Sequence, residues 1–185
     1  PRGSSVQAQE WRALLSLAFV ALLRGGEVGV TSGERFDALR HLNRGDLTVV
    51  RARDGKLLLK LRMRVLKGKV LTGKTVTILV GAGGTLIDAV REVILYLQMD
   101  PVPESDAAET PLFRHADGRA ITREDISQMV KRLMAALGLD PARFGAHSLR
   151  IGGATAALAA GVPPSLIRVL GRWSSDIYQI YCRLS

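Results

Sequence analysis

Apolar residues crowd nearly every side of the segment from Trp11 to Leu23, a pattern that predicts a buried helix rather than a surface one. Ser4 and Gln7, three apart just ahead of it, read as a capping box. The helix is expected to stop at Arg24-Gly25-Gly26, where two glycines end a helix or admit a close backbone. Thr31 and Glu34 read as a second box opening a short helix to about Leu42, and Asn43 to Asp46 as a turn. From Leu47 the hydrophobic period drops to two. Leu47 to Arg53 alternates and is rich in Val, Asp54-Gly55 marks a hairpin, and Lys56 to Leu66 reads as the return strand. Lys67 to Gly73 reads as a flexible basic turn before a third strand from Lys74 to Val80.

Helical signals then return. Thr85 is expected to open a helix to about Gln98, followed by a Pro- and acid-containing loop from Asp100 to Pro111. Thr122 caps a helix through Leu137, and Asp140-Pro141 pairs an N-cap with Pro at the first helical position. Further helices are expected from Ser148 to Ala160, from Pro163-Pro164 to near Gly171, and from Ser175 or Asp176 through Arg183. The fold class predicted is α+β, mostly helical, with one small three-stranded antiparallel sheet. Residues 1–5 read as a tag or linker remnant and 6–185 as one domain, a length that can bury a core.

Charge alters this picture. Lys and Arg number 26 against 17 Asp and Glu, a net charge of +9, which suggests a polyanionic partner. The predicted meander concentrates it, with Arg51, Arg53, Lys56, Lys60, Arg62, Arg64, Lys67, Lys69 and Lys74 against Asp54 as its one acid. A lone cysteine, Cys182, excludes an internal disulfide framework, and no Cys/His or carboxylate cluster has metal-ligand spacing. The longest apolar run, Ala13 to Leu23, is too short to span a membrane. An intracellular protein is expected.

Three separated segments carry candidate chemistry. In Phe144 to Thr155 (FGAHSLRIGGAT), His147 and Arg150 are three apart at a predicted helix start, so both can face one side near backbone N–H groups that favour anions. About two dozen residues on comes Leu170 to Arg183 (LGRWSSDIYQIYCR), and far upstream Leu22 to Glu27 (LLRGGE), an arginine set after a long apolar run. Between them lies the basic hairpin.

This ordered set resembles the tyrosine recombinase (phage integrase) superfamily, whose pattern is Arg, a hairpin Lys, His-x-x-Arg, His or Trp, then Tyr. The wording of the C-terminal third is similar to recombinases of eukaryotic mobile elements such as DIRS-type retrotransposons and cryptons. The resemblance runs from about Trp11 to Arg183 and implies an integrase-like catalytic domain without the family's N-terminal core-binding domain. It implies that Arg24 and Arg150 clamp the non-bridging oxygens of a DNA phosphate, that Tyr181 attacks to form a 3′-phosphotyrosyl bond, and that His147 assists its deprotonation. Lys67 would protonate the leaving 5′-oxygen, Trp173 would stand where relatives have a second His, and Glu27 would orient His147 or an arginine. Tyr181 lies eight residues after Trp173, within the family's usual eight or nine, whereas Tyr178 lies five after and reads as packing. Lys69 and Lys74 share the hairpin and compete with Lys67 for the acid role. Arg51, Arg53, Arg62, Arg64, Lys69 and Lys74 are expected to follow the DNA backbone. No cofactor or metal is implied. The partners expected are double-stranded DNA and further recombinase protomers, with no membrane, and a nuclear location if the mobile-element likeness holds. A type IB topoisomerase, or a non-catalytic DNA-binding module descended from a recombinase, would share much of this pattern.

Overall fold

A computed structural model describes residues 3–67, 70–81 and 87–173. The first helix, α1 (Ser4–Val20), is the centre of the molecule, with Ala13, Leu14 and Leu17 fully buried. Gly3 rather than Ser4 caps it: the N–H groups of Val6 and Gln7 donate to the Gly3 carbonyl at 3.1 and 3.3 Å, and no side chain takes part. The helix ends at Val20, five residues before the glycine pair expected to stop it. Arg24-Gly25-Gly26 instead begins a new helix, α2 (Gly25–Val28), because the Glu27 carboxylate accepts the Arg24 N–H at 2.6 Å and caps it.

No helix forms between Thr31 and Leu42. Gly33 takes a left-handed φ of +82°, and Asp37 organises local turns instead. Its carbonyl accepts from Arg40 and His41 N–H, its carboxylate from Leu39 N–H, and its own N–H donates to His41 Nδ1.

The sheet is β1 (Leu47–Arg51), β2 (Leu57–Lys67) and β3 (Val70–Gly81), antiparallel in sequence order. The hairpin between β2 and β3 is longer than the basic turn expected at Lys67 to Gly73. Lys67 pairs with Val70 and Leu66 with Leu71, because the aliphatic residues there favour strand pairing. A register shift between Arg64 and Leu66, opposite Gly73 at φ +72°, bends this extension. Leu59, Leu61, Met63 and Val80 face the core. Lys60 and Arg62 face outward, as the two-residue period of a strand requires.

The sheet packs on α3 (Ala89–Met99), which lies against α1. α3 starts at Ala89 under an Asp88 cap, its carboxylate accepting from Arg91 N–H at 3.0 Å; Thr85, expected to open it, lies outside the described residues. A buried polar knot holds α1, α3 and the following loop together. Glu10 accepts from the Tyr96 hydroxyl at 2.9 Å, Arg44 and Arg114 both donate to Asp100, and Arg44 lies 4.3 Å over the Tyr96 ring. Two cations around one buried carboxylate satisfy it where a single unpaired charge would be costly.

The remaining α-helices among the described residues are α4 (Arg123–Ala136), α5 (Ala146–Ala159) and α6 (Pro164–Leu170). α5 begins two residues before the expected Ser148. Gly145 is its N-cap, and Ser148 Oγ accepts the Gly145 N–H at 3.1 Å from inside the first turn. The last helix expected, from Ser175 or Asp176, lies outside the described residues. No described helix is long and apolar enough to cross a membrane.

Candidate active site

The turn leaving α1, the starts of α2, α4 and α5, and the turn after α6 meet in one place. Gly25 allows it. A Cβ there would stand 2.9 Å from Ala146 Cβ and 3.2 Å from Arg123 Cγ, so only glycine lets α2 abut α5 and the stem of Arg123. Ser127 Oγ, one turn into α4, accepts from Ala146 N–H at 3.2 Å and fixes the two helix starts together. Arg24 is thereby set beside His147 on the first turn of α5.

Arg24 is the half-exposed member of the cluster, with its side chain 50% accessible. Its Nη1 donates to Glu27 Oε1 at 2.8 Å, and its Nη2 reaches the Arg172 carbonyl at 3.4 Å. Glu27 serves a second guanidinium as well: Arg172 Nη2 donates to Oε2 at 2.8 Å. Two cations on one carboxylate leave one positive charge over, and Arg24 is the member that meets solvent.

Arg150 sits differently. It is 1% exposed; Nη1 donates to the Leu22 carbonyl at 2.6 Å, Nη2 to the Gly171 carbonyl, and the guanidinium lies 4.0 Å over the Trp173 ring. Arg150 therefore joins the turn after α1 to the turn after α6, and its guanidinium does not share the surface with Arg24. Trp173, 8% exposed, packs with Leu22, Ala154 and Ile167 as the platform beneath it. The two turns are strained: Leu22 and Arg172 have φ of +51° and +56°, left-handed values that side chains seldom adopt.

His147 lies exposed at the start of α5. Partial desolvation, then the guanidinium groups of Arg150, Arg123 and Arg24, hold its pKa below the ordinary histidine value. Both effects favour the neutral imidazole, the form able to accept a proton. An exposed arginine steadied by a carboxylate, beside a neutral imidazole, can bind an oxyanion and receive a proton from a nearby hydroxyl.

Of the other expected site residues, Lys67 ends β2, with only its backbone described. Lys69, Tyr178 and Tyr181 lie outside the described residues. Lys74 falls within β3, and Arg51 Nη1 donates to the Gly55 carbonyl at 2.8 Å, while Arg53 is exposed. Arg62 and Arg64 both bond Asp46, a fully buried carboxylate just before β1 that joins Asp54 in balancing the sheet's charge. Arg64 keeps 17% of its side chain accessible and Arg62 56%, so Arg62 is the more available of the two. Among the described residues no group of His, Cys, Asp or Glu is arranged to hold a metal ion. Two arginines of the cluster had no signal of their own. Arg123 follows an ordinary helix cap, and Arg172 was overshadowed by the aromatic residue beside it.

Solved structures supply the comparison. This chain matches the site-specific recombinase XerH bound to its difH substrate at 18% identity and a TM-score of 0.62, over 100% of this chain and 45% of that one. It matches XerA recombinase at 17% and 0.55, over 99% and 58%, and the Tn1549 transposon integrase in complex with circular-intermediate DNA at 16% and 0.52, over 100% and 58%. The chain has the tyrosine-recombinase fold. It spans about half the length of these recombinases. No protein-family model matches the sequence, and no curated protein matches it significantly. In the recombinase fold seen here, the α1–α2 turn and the start of α5 are the elements that bring Arg24 and His147 together.

Proposed function

We propose that this chain is the catalytic domain of an enzyme that cuts and rejoins double-stranded DNA through a tyrosine, in site-specific recombination or integration. One observation carries the reading: on a fold shared with site-specific recombinases, Gly25 abuts Ala146, so the Arg24–Glu27 pair adjoins the first turn of α5 that carries His147. Arg24 binds a non-bridging oxygen of the scissile phosphate, where its planar fork suits the anion. His147 accepts the Tyr181 proton as the phenolic oxygen attacks phosphorus. The 3′-phosphotyrosyl bond forms, the bond to the 5′-oxygen breaks, and that oxygen takes a proton from Lys67, with Lys69 or Lys74 as the competing donors. Arg150 holds the Leu22 and Gly171 turns in place around the site, with Trp173 beneath it. The reverse attack by a second strand's 5′-hydroxyl rejoins DNA, and further protomers supply that strand in a synaptic complex.

The experiment is a suicide DNA substrate resolved on a denaturing gel. Wild type and Tyr178→Phe are expected to form a covalent adduct, and Tyr181→Phe to form none while still binding DNA. Adduct from Tyr181→Phe, with none from a folded Tyr178→Phe, would move the nucleophile. A non-catalytic DNA-binding module is the second reading, favoured by the burial of Arg150 among carbonyls; a wild-type protein that binds DNA yet never forms an adduct would establish it.

A further inference from the structure

We propose that Arg172, and not Trp173, completes the phosphate site, as a positioning residue that shares Glu27 and so leaves Arg24 free to take a DNA phosphate. This rests on the DNA-binding part of the function proposed above. Spacing admits either residue, since Arg172 lies nine positions before Tyr181 and Trp173 eight. Geometry separates them. Trp173 is packed under Arg150, whereas Arg172 reaches across to the carboxylate that also holds Arg24.

The bonds around Glu27 define the role. Oε1 accepts from Arg24 Nη1, and Oε2 accepts from both the Arg24 N–H and Arg172 Nη2. With Arg172 present, one carboxylate is divided between two permanent cations and a positive charge is left over. Without it, Glu27 and Arg24 form a closed neutral pair, and the Arg24 guanidinium is held back from an incoming anion. Arg172 does not reach for the phosphate itself. Its side chain is 16% accessible, and its terminal nitrogens also donate to the carbonyls of Leu170 (2.9 Å), Ala21 (3.3 Å) and Leu22 (3.2 Å). Those bonds explain the residue's left-handed backbone: the φ of +56° turns the side chain back over the turn after α1. Arg172 thus couples the turn that leads toward Tyr181 to the arginine that meets DNA.

The test is the salt dependence of binding to a short fluorescent duplex, measured on the whole chain. Each neutralised phosphate contributes about 0.9 to the log–log slope. Arg24→Ala is expected to lower the slope by about that amount. Arg172→Ala should lower it equally although it touches no phosphate, and the double variant should lower it no further than either single one. Arg172→Lys, which keeps the charge, should restore the slope. If Arg172→Ala does not melt cooperatively, Arg172→Gln removes the charge while keeping a donor for the carbonyls. A purely structural role would lower the melting temperature and leave the slope alone, and that result overturns the proposal. So does a double variant whose slope falls twice as far, which would put Arg172 on a phosphate of its own. Adduct formation is scored separately: wild type that binds with a normal slope but forms no adduct sinks the cleavage reading alone, and wild type without salt-dependent binding sinks both.

Discussion

His147 shows how much of the site's chemistry is set by neighbours that are distant in sequence. Its spacing from Arg150 was visible along the chain, but its protonation state follows from partial desolvation and from arginines brought in by α4 and by the α1–α2 turn. A base must be neutral to accept a proton, and these cations keep it neutral to a lower pH than an ordinary histidine. Adduct formation should therefore hold up as pH falls below the usual histidine range, then decline on an acid limb. Arg123→Ala removes one of the cations, so the folded-state pKa rises toward its ordinary value and the acid limb moves to higher pH. A pH–rate profile of the two proteins checks this; a limb that stays put or moves down would remove His147 from the base role. Arg150 carries the opposite lesson. Its motif was legible, but its burial under the Leu22 and Gly171 carbonyls was not, because those acceptors belong to turns about 130 and 20 residues away in the chain.

At the level of elements, the packing of α1 on α5 decides where the turn after α1 goes. Gly152 and Gly153 give α5 a side without side chains, and α1 lies against it. A Cβ on Gly153 would fall 2.2 Å from the Phe19 carbonyl oxygen and 2.7 Å from Leu22 Cδ2. Gly153→Ala must push the helices apart, at a cost of about 1–3 kcal/mol for overpacking. The expected outcome is a lower melting temperature, together with slower adduct formation because Leu22, which takes the Arg150 hydrogen bond, moves. A Gly153→Ala protein with unchanged melting would show that the helices pack more loosely than these distances require. The glycines were plain in the sequence, and so was the helix that carries them. The glycine pair after α1 misled because a glycine can end one helix or open the next, and the Glu27 carboxylate decides for opening.

Over the whole molecule, the basic excess is divided between work inside the fold and a free surface. Arg44 and Arg114 close on Asp100, and Arg64 on Asp46, so these cations hold the structure together. Lys60 stands on the outward face of the sheet, and Arg62 beside it stays half-exposed while also donating to Asp46. Lys60→Glu is expected to flatten the salt dependence of DNA binding by about 0.9 for each phosphate no longer neutralised, with melting unchanged. Arg64→Ala should instead destabilise by about 1–3 kcal/mol, because buried Asp46 loses a donor. Thermal melts beside a salt titration separate the two effects, and a Lys60→Glu protein with the original slope would mean that the sheet face does not follow DNA.

The sequence by itself determined the class of fold, the three-stranded antiparallel sheet, the Thr122 cap of α4 and the segments that carry His147, Arg150 and Arg24. These are properties of hydrophobic period, turn chemistry and short spacings, which act over a few neighbouring residues. Only the tertiary structure decided that Arg24-Gly25-Gly26 opens a helix, that Thr31 to Leu42 stays in turns, that Arg64 folds back on Asp46, and that Arg172 lies on Glu27 while Trp173 is packed beneath Arg150. Each of these depends on where a charge or a carbonyl finds its partner. Partners at Asp46, Leu22 and Gly171 are chosen by packing across the chain, because a buried polar group must be satisfied by whatever the fold brings within reach.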